Sequence, residues 1–309
     1  MNTRLLLMLF AFSLFTQCDK DEMSEIEKRQ KEDDQKINDY LAENDISAQK
    51  HRSGLYYLEI EENPDNKKVS EGDIIYAKYT VSTLDGDDLD VDTDTIVVFE
   101  HGSGSLVPEG LDIGCGLMHK GEKLRFFIPS VLVFNRYSNP DFKLESGSIL
   151  VCDLEVVDIQ GKDERLEEEK ELIANYIETN KIESLKEFAN GLYFKKLTAQ
   201  DQGSRPDDGD IVKVHFERRY LDGTIHFSTF HNNPVSVQLG KNAVEGLEEG
   251  IKLLKPGERG LLIFPSELGF GAGIQVIPHE LKNELTEDGY LSNTPEPFSP
   301  LVYEIELLD

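Results

Sequence analysis

The sequence predicts an α+β chain in which a charged helix precedes a small β-rich domain, and this unit occurs twice. The clearest observation is the stretch 257–271, where the apolar run 261–264 is bounded by turn residues and by Pro265. A short apolar run between such breakers is typical of a buried strand. The stretch 120–134 repeats the same order of turn, apolar run and loop, which indicates an internal duplication.

The duplication continues in register through most of the chain, with small insertions. A repeat of this length exceeds the roughly 20–50 residue periods of solenoids, so we interpret it as two whole domains. The matching segments are Ile-Asn-Asp-Tyr at 37–40 and Ile-Ala-Asn-Tyr at 173–176, Gly-Leu-Tyr at 54–56 and 191–193, Gly-Asp-Ile at 72–74 and 209–211, Leu-Asp-Gly at 84–86 and 221–223, Glu-Gly-Leu at 109–111 and 245–247, and the closing apolar stretches at 150–155 and 301–306.

The first residues have the pattern of a secretory signal. Arg4 precedes the apolar run 5–15, which is too short to span a bilayer. Cys18 follows where bacterial lipoproteins carry their lipid, although Gln17 stands where a small residue is usual. We therefore predict that residues 1–18 form a lipoprotein signal with lipid attached to Cys18. The alternative is ordinary signal cleavage that leaves a free thiol.

Residues 19–50 are predicted to be an acidic tether that contains a helix. The opening Asp-Lys-Asp-Glu at 19–22 is similar to the export signal of some surface-exposed lipoproteins, and a solvated tether is the alternative. Because apolar positions are few, we expect a solvent-facing helix or one that docks lightly on its neighbour. These positions are Ile26, Ile37, Tyr40, Leu41 and Ile46.

Composition limits the classes of function. The chain has 60 Asp and Glu against 32 Lys and Arg, a formal net charge of -28, which argues against binding nucleic acid or anionic lipid surfaces. It contains no zinc-protease motif, phosphate loop or nucleophile elbow, so we expect neither metal nor cofactor. The acidic loop 85–94 is not an EF-hand, because Thr95 and His101 stand where Gly and Glu are needed.

Two cysteines remain besides Cys18. Cys115 and Cys152 are expected to be ordinary core thiols, and a disulfide between them in an oxidising compartment is the alternative.

Residues 161–189 are charged, with apolar side chains at near-helical spacing, and this pattern predicts a connecting helix. The domains on either side of this helix are then residues 51–160 and 190–309.

The motifs of the second domain stand in a fixed order: Val-His-Phe at 214–216, Leu-Asp-Gly at 221–223, Val-Glu-Gly-Leu at 244–247, Pro-Ser-Glu-Leu-Gly-Phe-Gly at 265–271, Ile-Pro at 277–278 and Leu-Val-Tyr-Glu-Ile-Glu at 301–306. This order resembles the FKBP-type peptidyl-prolyl cis-trans isomerases, and the whole chain is similar to gliding-motility-associated FKBP lipoproteins. The resemblance covers 190–309 well and 54–159 more weakly. It implies two tandem domains, each an antiparallel sheet wrapped on a short helix.

The resemblance also implies a chemistry. Rotation about an X-Pro amide loses resonance and meets a barrier of about 18–20 kcal/mol. An apolar pocket that grips the proline ring, with donors that favour the twisted amide, lowers this barrier without a nucleophile. In the second domain the implied catalytic residues are Phe216, Phe227, Phe270 and Tyr303, and the implied substrate-binding residues are Val235, Ala243, Val244, Leu247 and Ile277. The Val244 N–H is implied to meet the substrate carbonyl.

The second domain departs from the family at two of these positions. Phe270 replaces a tyrosine and lacks its hydroxyl, and His226-Phe227 stands where the family has a phenylalanine and a buried aspartate. In addition, the segment 280–300 is longer than the family's usual loop before the last strand. We expect it to be either an elaborated rim of the binding site or a tolerated surface insertion.

The first domain departs in a different way. Tyr79 and Asp90 match the family's tyrosine and aspartate, and Phe134 continues the implied lining with Leu106 or Val107 and Leu111. Cys152, however, replaces the last aromatic, and no Ile-Pro motif is present. We expect this degenerate pocket to hold proline weakly or to be an ordinary sheet core.

We therefore predict a peptidyl-prolyl isomerase and folding factor for exported proteins, with the second domain as the better candidate. Its partners are expected to be proline-containing polypeptides and, through the lipid anchor, the outer membrane on its periplasmic or cell-surface face. The alternative is a catalytically weak chaperone or assembly module that captures extended segments. A third possibility is a structural lipoprotein of a secretion or gliding machine.

Overall fold

The computed structural model describes residues 7–90, 94–134, 137–230 and 232–308, with side chains from Glu25 onward. It contains two seven-stranded antiparallel sheets, each packed on a short helix, as the fold class predicted from the sequence requires. The helices are α1 (Leu7–Glu43), α2 (Glu109–Cys115), α3 (Lys162–Thr179), α4 (Glu245–Lys252) and α5 (Leu281–Glu287).

The first sheet has the strand order β1-β2-β7-β8-β3-β4, with β5 paired to β3. The alternation of buried and partly exposed residues along β3 is the period expected of a strand with one face on a core. The first domain's strands are β1 (Gln49–Lys50), β2 (Tyr56–Glu61), β3 (Ile74–Thr83), β4 (Asp88–Asp90), β5 (Val97–Glu100), β6 (Leu106–Val107), β7 (Lys123–Ile128) and β8 (Leu150–Gln160).

The second sheet repeats this arrangement with the order β12-β11-β16-β14-β10-β9, and β13 pairs with β11. Each strand takes the position of its counterpart in the first sheet, so the sequence duplication is a duplication of topology. The second domain's strands are β9 (Lys186–Glu187), β10 (Tyr193–Thr198), β11 (Ile211–Tyr220), β12 (Ile225–Ser228), β13 (Val235–Gln238), β14 (Arg259–Phe264), β15 (Gln275–Val276) and β16 (Leu301–Leu307).

Two glycines let α4 lie close against its sheet. A Cβ at Gly246 would lie 2.7 Å from the Phe264 ring, and one at Gly250 would lie 2.3 Å from the Leu262 side chain. Contacts this short are not tolerated without displacement of the core. The Glu-Gly-Leu motif therefore fixes the helix that borders the pocket at a close distance from β14.

Helices α1 and α3 dock on the outer faces of the two sheets in the same way. Each carries a buried carboxylate that accepts hydrogen bonds from the backbone N–H and the hydroxyl of a serine just after a sheet strand. Asp33 of α1 accepts from Ser130 at 2.8 and 2.7 Å, and Glu169 of α3 accepts from Ser266 at 2.6 and 2.8 Å. The helix that precedes each domain is therefore part of the duplicated unit.

The apolar stripe of α1 is short, as expected from the sequence. Ile37 and Leu41 are buried against Tyr56 and Phe127, whereas Ile26 is exposed. The helix therefore contacts the first sheet through a short apolar stripe and Asp33. Among the described residues, no helix is both long and apolar enough to cross a membrane. The side chain of Cys18 lies outside the described part of the chain, and Cys115 and Cys152 are buried free thiols.

The segment 273–291 leaves the second domain and packs on the first. Its strand β15 pairs in parallel with β6 of the first domain, and Val276, Ile277, Leu281 and Leu285 are buried in the first domain's core. The Val107–Pro108 and Ile277–Pro278 peptide bonds are cis. The segment is not a loop on the free surface: its first part packs on the first domain, and further along the Glu296 N–H donates to Tyr220 Oη of the second domain at 3.0 Å, beside His226.

Candidate functional site

The floor of the second domain's pocket is a set of stacked aromatic rings. Phe216 on β11 lies between Phe227 and Tyr303, with ring centroids 5.5 and 5.6 Å away, and Tyr303 stacks on Phe264 at 5.3 Å. Tyr303 is 1% exposed, whereas Phe227 on β12 is 39% exposed. The rings therefore run from the core to the solvent, and the outer end of the set is open.

Arg218 lies among these rings, and its position was not anticipated from the sequence. Its guanidinium carbon is 4.6 Å from the Phe270 ring centroid and 5.8 Å from that of Phe227. Its Nη atoms donate to Tyr303 Oη at 3.4 Å and to His226 Nδ1 at 2.8 Å. The side chain is buried, its Nε has no hydrogen-bond partner, and no carboxylate pairs with it among the residues described.

The electrostatics of this cluster follow from burial. Burial, and then the charge of Arg218, lower the pKa of His226, so its ring is neutral and its Nδ1 can accept the hydrogen bond from Arg218. Burial raises the pKa of the Tyr303 hydroxyl, which keeps it protonated. The second-domain pocket is therefore apolar with one fixed positive charge.

The remaining predicted lining residues lie where α4 meets β13. Leu247 is buried in the second core, and Val235, Ala243 and Val244 pack against that core while partly exposed. Val244 is the N-cap of α4, so it lies at the positive end of that helix. These four placements agree with a pocket bordered by α4.

The placement of Ile277 in this pocket was wrong. Ile277 is fully buried in the first domain's core, and its N–H donates to Val107 O at 2.8 Å. The Ile-Pro motif has left its own domain because β15 pairs with β6 rather than with a strand of the second sheet.

The first domain keeps a tyrosine–carboxylate pair. Tyr79 is 3% exposed, and its hydroxyl donates to Asp90 Oδ2 at 2.5 Å and accepts from the His279 backbone N–H at 3.0 Å. Burial, and then the hydrogen bond to Asp90, raise the pKa of the Tyr79 hydroxyl far above its usual range. Leu111 is buried in this core, and Phe134 packs against it while partly exposed. The predicted lining is thus assembled, but it is covered by the second domain's segment.

Open clefts elsewhere on the molecule do not have the character of a proline pocket. Two of them, about 590 and 400 Å³, share Asp85 and Glu145 and are lined mainly by polar and charged side chains. No group of three or more potential metal ligands occurs among the described residues. The aromatic pocket of the second domain and the filled pocket of the first are therefore the candidate sites.

The fold and its duplication define a tandem protein with two copies of one domain, one with an aromatic pocket open to solvent and one with its pocket filled. The family described as FKBP-type peptidyl-prolyl cis-trans isomerase matches residues 65–157 and 202–308, one match for each sheet. The chain belongs to this family, which confirms the resemblance seen in the sequence.

Relatives of known name are similar over parts of their length. The probable FKBP-type peptidyl-prolyl cis-trans isomerase FkpA of Neisseria meningitidis is 37% identical over 31% of this chain and 36% of that relative. The isomerase FKBP10 of Mus musculus is 26% identical over 79% of this chain and 39% of that relative. The crystal structure of three FKBP domains of wheat FKBP73 is 21% identical, with a TM-score of 0.35, over 85% of this chain and 98% of that one. The chain thus spans little more than a third of these two curated relatives.

Sequence reasoning missed Arg218 and Tyr137. The signal for Arg218 was present, because the period of β11 places residue 218 on the same face as Val214 and Phe216. Tyr137 packs edge-on against Tyr290 at 5.1 Å and donates from its hydroxyl to Asp288 at 3.1 Å. No local pattern indicated Tyr137, because its partners come from the other domain.

Proposed function

We propose that this chain promotes cis-trans isomerisation of X-Pro bonds in polypeptides, with the second domain as the site open to them. The observation that carries the proposal is the aromatic floor, where buried Phe216 and Tyr303 continue into the solvent-exposed ring of Phe227. The equivalent pocket of the first domain is filled by the chain itself.

The geometry suggests how the second domain acts. The rings offer an apolar surface for the proline, and the positive end of α4 at Val244 lies at the pocket border, suited to the substrate carbonyl. A twisted amide has less charge separation than the planar amide, so an apolar pocket favours it. This mechanism needs no nucleophile.

A second candidate is a binding module that captures extended segments with little turnover. It is favoured by Arg218, whose guanidinium lies against Phe227 and Phe270 inside the pocket. It is also favoured by the absence of the hydroxyl and carboxylate that the first domain retains in Tyr79 and Asp90.

The test is proline exchange in a short peptide, measured by NMR with the full chain. We expect acceleration of exchange that Phe216→Ala and Phe270→Ala each reduce at least tenfold, because each removes one wall of the pocket. Ile225→Ala, an exposed apolar change on the neighbouring β12, is the matched control and should have no effect. Unchanged exchange in both variants would exclude this site as the isomerase. Peptide binding without exchange would establish the binding module instead.

We further propose that the chain is exported as a lipoprotein and works on exported clients at the outer membrane. The proposal rests on Arg4, the apolar run 5–15 and Cys18 in the sequence. Labelling with a radioactive fatty acid tests it in a bacterial host. The wild-type chain should carry label and the Cys18→Ser chain should not; an unlabelled wild-type chain would overturn the anchor.

A further inference from the structure

The pocket of the first domain contains a peptide, and that peptide is residues 274–291 of the same chain. Two backbone hydrogen bonds hold it as an added strand: Gln275 N–H to Ser105 O and Ile277 N–H to Val107 O, both 2.8 Å. Strand addition at an open edge is a common way for a protein to bind an extended segment. The first domain therefore offers an edge at β6 that accepts a parallel strand.

The side chains of the segment fill the pocket behind this edge. Val276, Ile277 and Leu281 are 0% exposed and Leu285 is 4% exposed, all within the first domain's core. Burying such side chains removes apolar surface from water, which favours the packed position of the segment. The pocket is thus shaped for an extended aliphatic segment that continues into a short amphipathic helix.

Polar groups of the first domain recognise the backbone and the flanks of the segment. Tyr79 Oη, held by Asp90, accepts the His279 N–H, which places the residue after Pro278 against the tyrosine–carboxylate pair. Further along, Tyr137 Oη donates to Asp288, and Asn139 Nδ2 donates to Glu284 at 3.5 Å. The ligand class is therefore an aliphatic-proline segment followed by acidic residues.

The attachment has features of a ligand that can leave. The ladder between β6 and β15 is only two residues long, and glycines with positive φ lie just before the segment, at Gly273, and near its end, at Gly289. Elements with few hydrogen bonds open at lower free energy than core strands. Because the segment is covalently tied, its effective concentration is on the order of millimolar, which opposes weak outside ligands.

We propose that the first domain's pocket is a polypeptide-binding site of this class, and that residues 274–291 occupy it as a built-in competitor that outside polypeptides must displace. This inference rests on the proposed polypeptide-binding function. It assigns the first domain a concealed site rather than a merely structural core.

The test uses the full chain with Leu281→Asp and Leu285→Asp, which place two charges on the buried face of α5 and should release the segment. A labelled peptide of residues 272–291 should then bind, at one peptide per chain and at least tenfold tighter than to the wild-type chain. Asn283→Asp, an exposed change on the same helix, is the matched control and should bind no tighter than wild type. Adding Tyr79→Phe to the released chain should weaken binding.

Other results would overturn the inference. A folded released chain that does not bind the peptide shows that the pocket is not a binding site. Equal binding to the wild type shows that the peptide binds elsewhere. If the released chain does not fold, hydrogen exchange on the wild type decides: the Gln275 and Ile277 amides should exchange at least tenfold faster than those of β8, and equal protection would mean a permanent core element. Proline exchange at the second domain is measured separately, so the proposed function can fail or hold independently.

Discussion

Arg218 sets the charge of the second domain's pocket. It is buried beside two aromatic rings and a neutral histidine, and among the described residues it has no carboxylate partner. A buried cation of this kind is unfavourable unless it is paired or well hydrogen-bonded, so we expect Arg218 to attract an anionic group of a bound peptide. The first domain has the opposite arrangement, with a carboxylate at Asp90.

From this charge we predict a preference for acidic substrates. The wild-type chain should bind a Glu-Pro peptide about tenfold tighter than the matched Lys-Pro peptide, which is a difference of about 1.4 kcal/mol. Arg218→Met keeps an unbranched apolar stem but removes the guanidinium and its charge, so it should remove this preference. Titration of both peptides against both proteins by calorimetry measures it. Equal affinities of the wild type for the two peptides would contradict the prediction.

Glu258 predicts how stability depends on pH. Burial alone would raise its pKa, but hydrogen bonds from Lys196 and from the backbone N–H groups of Gln200 and Lys255 lower it from 4.5 to about 2. Between these values the unfolded chain binds more protons, so the stabilisation is present above pH 4.5 and is lost as pH falls toward 2. The loss should be roughly 3 kcal/mol.

Denaturant unfolding from pH 6 to pH 2.5 measures this dependence. In Glu258→Gln the free energy of unfolding should depend less steeply on pH, because the titration of Glu258 is removed. The variant should also be less stable than the wild type at neutral pH. Glu267→Gln makes the same change of charge at an exposed position and should leave the slope unchanged. An identical slope in the wild type and Glu258→Gln would show that another group is responsible.

At the scale of elements, the same anchoring contact occurs twice: one buried carboxylate holds α1 on its sheet, and another holds α3 on its sheet. Replacing one leaves a buried serine N–H and hydroxyl with a poorer acceptor, at a cost of about 1–3 kcal/mol. We predict that Asp33→Asn and Glu169→Gln each lower the free energy of unfolding by this amount. The exposed neighbours Glu32→Gln and Glu171→Gln should change it by less than about 0.5 kcal/mol. Urea unfolding compares the four variants, and equal effects would contradict the anchoring role.

The sequence was sufficient to predict the two sheets and their helices, but not to predict which core each segment packs against. The repeated motifs and the apolar runs bounded by turn residues predicted two copies of one sheet, and the structure shows the alternation that burial on one face imposes along β3 and β11. The alternation of residues along β11 also places Arg218 on the same face as Phe216. The sequence did not indicate where the segment 273–291 packs, because an apolar run indicates that it will be buried and not which core will bury it. Ile277 was misplaced for this reason.

At the scale of the whole molecule, the two cores are connected through this segment. Leu281 belongs to the second domain's chain but lies 0% exposed in the first domain's core, whereas Leu254 is equally buried in the second core. We predict that Leu281→Ala destabilises the first domain by about 2–5 kcal/mol. Leu254→Ala should instead act on the second.

Hydrogen exchange with mass spectrometry can separate the two effects, because it reports on β3 and β11 individually. In Leu281→Ala the β3 amides should lose protection more than those of β11, and Leu254→Ala should show the reverse. The same ranking in both variants would mean that the two domains unfold as one body.

The shared segment also limits how the duplicated gene can evolve. A copy that arises by duplication can usually be lost, moved or spliced to another gene, because each half folds with its own residues. Here the second half supplies four buried side chains and a strand to the first. Selection therefore acts on the pair as a unit, and a recombination event between residues 161 and 273 that discards the second half leaves the first with an uncovered apolar surface.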